Sequence, residues 1–96
     1  GVRPAVVVGL PERAGQPRFS TLLVIPLTTQ EGTWSRKAPQ LYPRLRAGAG
    51  GLPRPSIALL DQVRSIDARR VSSYVGSLTG KEFLTISEGL KKIFGF

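Results

Sequence analysis

Neither cysteine nor histidine occurs in the 96 residues. Without cysteine there are no disulfides, no thiolate nucleophile and no thiolate metal site. Without histidine the side chain that most often moves protons near neutral pH is missing. A zinc site would need carboxylates alone, which is rare. Catalysis must therefore draw on Arg, Lys, carboxylate, Tyr or hydroxyl groups, and no metal or cofactor is expected. Acid is scarce as well, with 6 Asp+Glu against 14 Lys+Arg and a net charge of +8. Such a field attracts polyanions, nucleic acid first among them, although charge also serves solubility and says nothing of catalysis. No apolar run approaches the roughly 20 residues that span a bilayer. No charged-then-apolar leader opens the residues. The expected address is cytoplasmic, with no membrane contact.

Length and composition point to one small domain over residues 1–96, with an apolar content of 41% that disfavours disorder. So small a core is marginal alone, which makes a homodimer a reasonable expectation. Pro4–Gly9 is a short continuous apolar run and reads as a strand buried on both faces. A charged Pro/Gly loop follows, and then Phe19–Leu27, the strongest strand signal, where Pro26 suggests an edge or a terminus. Residues 28–38 read as a long mobile loop, and Gln40–Arg46 as a strand demoted by Pro43. The glycine- and proline-rich stretch 47–55 must turn or flex. Ser56–Ile66 reads as a strand entering a polar segment, Asp67–Arg70 as one helical turn, and Val71–Leu78 as a strand with Val71, Tyr74 or Val75, and Leu78 in the core. Thr79 and Glu82 match a capping box ahead of Phe83, Ile86, Leu90, Ile93 and Phe94 at helical spacing, and Gly95 ends the helix. The expected fold is α+β, a small barrel-like sheet with a C-terminal amphipathic helix.

Four segments carry more specific signals: Arg3-Pro4 before the first apolar run, Pro26-Leu27-Thr28-Thr29-Gln30, Asp61-Gln62-Val63-Arg64-Ser65-Ile66-Asp67, and Val75-Gly76-Ser77-Leu78 leading into the helix. In that order and spacing, across essentially all the residues, they resemble the MazF/PemK family of toxin endoribonucleases. The resemblance implies a small SH3-like β-barrel of the CcdB/MazF kind with a C-terminal helix, and a homodimer. It also implies metal-independent, sequence-specific cleavage of single-stranded RNA, and a MazE-like antitoxin whose acidic and apolar tail lies across the RNA site. The family's catalytic pair corresponds to Arg3 and Thr28. In the family pattern a further strand and an acidic residue precede the Arg-Pro pair. Neither has a counterpart in these residues, so the Pro4–Gly9 strand is expected to be covered by a second copy, by an antitoxin segment or by residues upstream.

The residue types suit that chemistry. When an RNA 2′-hydroxyl attacks the adjacent phosphorus, negative charge gathers on the phosphoryl oxygens, and a planar guanidinium can grip two of them. One preorganised donor of this kind contributes roughly 3–4 kcal/mol. Arg3 is assigned chiefly to charge stabilisation, since arginine stays protonated up to about pH 12 and is a poor base. Thr28 can donate a second hydrogen bond, and no residue is assigned as general base. Asp61 and Gln62 offer acceptor and donor groups for base edges, with a solvated strand end as the plainer reading, and Thr29 and Gln30 are expected to contact RNA as well. Trp34 with Arg36 and Lys37 can stack a base and hold phosphates. Plainer readings stand beside these: Arg3 a surface charge, Thr28 a strand end closed by a local turn bond, Trp34 a residue packed under its own loop. Two other functions compete with the ribonuclease. One is a CcdB-type gyrase poison, which would use the C-terminal Ile93-Phe94-Gly95-Phe96. The other is a non-catalytic SH3-like RNA-binding module.

Overall fold

Runs of β-branched and leucine residues form the strands, because such side chains pack well on a pleated surface. The computed structural model describes residues 3–96, in which five strands make one antiparallel sheet. They are β1 (Ala5–Gly9), β2 (Thr21–Thr28), β3 (Arg44–Leu45), β4 (Ser56–Ala58) and β5 (Arg64–Asp67), with helices α1 (Thr33–Lys37) and α2 (Gly80–Phe94). β2 is the hub: β1 runs along one side, β5 and β4 along the other, and β3 lies beyond β4. The sheet curls into half a barrel, and α2 completes the α+β arrangement expected. The core is Ile25 and Leu27 of β2, Leu45, Ala49, Leu52, Ala58 and Leu60 from the middle of the chain, and Ile86 of α2.

Pro26 sits inside the central strand, not at an edge or an end. The reason lies in its neighbour. In an antiparallel ladder the N–H and C=O of one residue point to the same side. The Pro26 carbonyl accepts from Leu59 N at 3.0 Å, so its missing N–H would have pointed the same way. There the adjacent strand swings out as a 3-10 turn, Leu60–Gln62, before returning as β5 with Arg64 opposite Val24. The absent donor falls where the ladder is already interrupted, the bulge setting in which a sheet tolerates proline.

Several expectations are corrected. β1, expected to be buried on both faces, is an edge strand among the described residues, and Val7 is 48% exposed because only β2 flanks it. The strand expected over Gln40–Arg46 shrinks to Arg44–Leu45, because Ala38–Tyr42 closes a turn in which Leu41 N and Tyr42 N both bond the Ala38 carbonyl. Residues 28–38, expected as a long mobile loop, carry α1. Ser35 anchors it, buried, exchanging bonds with the backbone of Gly32 at 2.8 and 3.3 Å. The glycine-rich connection turns, as expected, and its 3-10 turn, Ala49–Gly51, puts Ala49 and Leu52 into the core. Val71–Leu78 is not a strand. Val71, Tyr74 and Val75 are exposed, Tyr74 by 78%, and only Leu78 packs on the core. This segment lies against the glycine turn instead of a strand edge. At Gly51, with φ +80°, an added Cβ would stand 2.7 Å from the Val75 carbonyl. The turn expected at Asp67–Arg70 is present as Ala68–Arg70, with the Asp67 carboxylate accepting from Arg69 N at 2.9 Å and from the Arg69 guanidinium. That side-chain bond holds the Asp67 carboxyl at about 2, well below its ordinary value.

α2 follows the sequence closely. Thr79 Oγ1 accepts from Glu82 N at 3.1 Å while Glu82 Oε1 accepts from Thr79 N at 2.9 Å, and Gly95 ends the helix in the left-handed region. Ile86 is fully buried, Phe83 and Leu90 pack beside it, and Ile93 and Phe94 run on past the core. Gly89 lets the helix sit on the 40–41 turn. A Cβ there would stand 2.6 Å from the Gln40 carbonyl and would collide with Leu60.

Candidate functional site

The β1–β2 register brings the two residues of the expected catalytic pair together. Ala5 pairs with Pro26, and Leu27 N donates to the Pro4 carbonyl at 3.2 Å. Continuing the count sets Arg3 opposite Thr28. Directly opposed residues share a face, with Cβ atoms about 4.5–5.5 Å apart. Arg3 is exposed, so its guanidinium is open to an incoming anion. Thr28, half-buried, closes β2: its Oγ1 accepts from Gln30 N at 3.2 Å. This is the local turn bond of the plainer reading. The turn bond leaves that hydroxyl free to act as a donor. The same row runs on through Ile57 of β4, opposite Thr28, to Arg44 of β3, opposite Ile57.

A second group forms on the other flank of β2. Asp61 and Gln62 are exposed on the 3-10 turn where the neighbouring strand leaves the ladder. Tyr42 OH donates to Asp61 Oδ2 at 2.7 Å, and Trp34 packs edge-on to the Tyr42 ring with centroids 4.9 Å apart. The Asp61 bond raises the Tyr42 phenol above its ordinary value, because ionisation would break it and set two negative charges together. Trp34 thus packs on Tyr42 of the following turn and stays 44% exposed, which leaves ring surface for a ligand. Thr29, Gln30, Arg36 and Lys37 are all exposed: the first two follow β2, and the others close α1. The fold therefore assembles Arg3 with Thr28, and Trp34 with Asp61, while Thr29, Lys37 and Gln62 make no side-chain hydrogen bond or ion pair among the described residues.

Two residues absent from the sequence reading belong here. Tyr42 joins Trp34 to Asp61 from 19 residues away, and no local pattern announces it. Arg44 forms an ion pair with Glu31, three residues after Thr28, and becomes visible only once the β3–β4 register is known. Among the described residues, no group of three or more carboxylates lies close enough to hold a metal ion. No helix among them is long and apolar enough to cross a membrane.

The family model for PemK-like, MazF-like toxins of type II toxin–antitoxin systems matches residues 1–94. The curated proteins contain no match. With a curled half-barrel, a C-terminal helix and a family match running from before Arg3 to the end of α2, the chain belongs to the PemK-like, MazF-like toxins of type II toxin–antitoxin systems.

Proposed function

We propose that this toxin is a sequence-specific endoribonuclease acting on single-stranded RNA without a metal, and that it works as a homodimer blocked by a MazE-like antitoxin. The observation that carries the reading is the register that sets Arg3 opposite Thr28, on a protein of net charge +8. The 2′-oxygen of one nucleotide attacks the adjacent phosphorus and loses its proton. The bond from phosphorus to the 5′-oxygen breaks, and that oxygen takes up a proton. A cyclic phosphate and a 5′-hydroxyl end result. Arg3 grips the phosphoryl oxygens as charge accumulates, and the Thr28 hydroxyl donates to one of them. Asp61, held by Tyr42, and Gln62 present an acceptor and an amide to base edges, and Trp34 offers a stacking face. The antitoxin that a type II toxin implies would neutralise the basic surface with an acidic segment.

The test is incubation of the chain with a long single-stranded RNA in excess chelator, beside a gyrase supercoiling assay. The reading expects RNA cut at recurring short motifs and supercoiling untouched. Gyrase inhibition without RNA cleavage would give the protein the CcdB-type role. RNA binding with a steep salt dependence and no cleavage would make it a binding module.

Tyr42→Phe checks the recognition half. The ring that packs on Trp34 stays, and only the hydroxyl that orients Asp61 is lost. Discrimination at one base of the cut motif should relax by about threefold to tenfold, the size of one hydrogen bond, with the maximal rate nearly unchanged. Unaltered motif preference in Tyr42→Phe would remove Asp61 from recognition.

A further inference from the structure

Between α1, the turn that follows it, and residues 85–92 of α2 lies a groove of about 480 Å³. It is the size of a small-ligand pocket. Its walls include the Tyr42 ring and Pro43, and its rim carries Arg36 of α1, Arg44 of β3 and Lys92 of α2, against one carboxylate, Glu88. Lys92 Nζ donates to Gln40 Oε1 at 2.7 Å, which stations the ammonium at the rim with two protons left to donate. Arg44 is held there by Glu31. An apolar floor under a cationic rim matches a nucleotide, whose base lies on rings and whose phosphate meets cations.

Two residues of its lining, Arg44 and Tyr42, tie the groove to the candidate site. Arg44 stands in the sheet row of Thr28, two strand spacings or about 10 Å away. Tyr42 forms part of its wall and holds Asp61 through its hydroxyl. We propose that this groove is an RNA subsite, which grips phosphates flanking the cleaved bond through Arg36, Arg44 and Lys92 and leads the strand onto α2. The inference rests on the ribonuclease reading for its substrate and adds a site outside the Arg3–Thr28 pair. The Glu31 carboxylate occupies Arg44 as a phosphate would, so RNA must displace it.

The test is fluorescence anisotropy with a fluorescein-labelled, uncleavable 2′-O-methyl RNA of mixed sequence, over a range of salt. Lys92→Glu should weaken binding at least about tenfold and flatten the salt dependence, since a phosphate contact is lost. Lys91→Glu makes the same change of net charge one residue away, outside the groove lining, and should cost less than about threefold, the size of a screened charge effect. Glu31→Gln should tighten binding by about threefold or more as Arg44 is released, while Glu12→Gln, on the remote 3-10 turn Pro11–Ala14, should leave it unchanged. Equal losses in Lys92→Glu and Lys91→Glu would overturn the subsite. So would Lys92→Glu protein that keeps its RNA affinity but loses affinity for a glutamate-rich peptide, a result that would give the groove to an acidic protein segment. A toxin that cuts RNA while its groove variants behave alike loses the subsite and keeps the ribonuclease reading. One that binds RNA through the groove without cutting loses the ribonuclease reading alone, and one that binds no RNA loses both.

Discussion

Arg3→Ala is expected to lower kcat/KM for RNA by about a hundredfold to a thousandfold, the loss of one preorganised donor to a developing oxyanion. The side chain is exposed at the entrance to β1, so its removal should leave the melting temperature within a degree or two, as surface substitutions away from special contacts generally do. Arg3→Lys keeps the charge and loses the planar two-pronged grip, and should recover only part of the rate. Thr28→Ala is expected to cost at least tenfold. It also removes the turn bond to Gln30 N, so Thr28→Ser, which keeps both the hydroxyl and that bond, should restore most of the activity. The quantity to follow is single-turnover cleavage at saturating enzyme, with RNA binding measured alongside. Near-normal cleavage by both alanine variants would remove the pair from the chemistry.

The largest expected effect on stability is that of Ile86→Ala. Ile86 is fully buried and joins α2 to a core built from β2, β4 and the 3-10 turn at Leu60. Truncating a buried isoleucine to alanine costs about 2–5 kcal/mol, the lost transfer energy plus the cavity left behind. A domain of this size has roughly 5–15 kcal/mol in total, and each kcal/mol moves its melting temperature by about 4–8 °C. A fall of about 10 °C or more is therefore expected. Leu84, on the same helix but 53% exposed, provides the contrast: Leu84→Ala should change little. The comparison needs one fixed protein concentration, because self-association would couple melting to concentration. Equal shifts for the two variants would mean that α2 does not pack as described.

Where a signal was local and repeated, the sequence announced the structure. α2 could be read to the residue, since Thr79 and Glu82 satisfy each other's backbone donors and Gly95 supplies the left-handed stop. β2 was legible because Val24, Ile25 and Leu27 need a core whatever surrounds them. What could not be read was decided by neighbours distant in sequence. Pro26 is tolerated in a central strand only because residues 60–62 bulge away from it, a fact about β4 and β5. Val71–Val75 has strand-like composition but packs across a glycine turn, where backbone-to-backbone contact leaves its side chains outside. The candidate site divides the same way. Arg3 and Thr28 were named through motifs, and their juxtaposition needed the register. Tyr42 and Arg44 had no motif at all, and only tertiary contacts, the first to Asp61 and the second to Glu31, bring them in.

The most direct test of the central claim is sequencing of the 5′ ends produced when the chain meets a long single-stranded RNA, with and without prior phosphorylation of those ends. The account predicts ends that cluster at one short motif, that can be ligated only after a kinase has acted on their 5′-hydroxyls, and that disappear in the Arg3→Ala, Thr28→Ala double variant. Ends scattered without a motif, ends already bearing a 5′-phosphate, or the same ends from the double variant would contradict it.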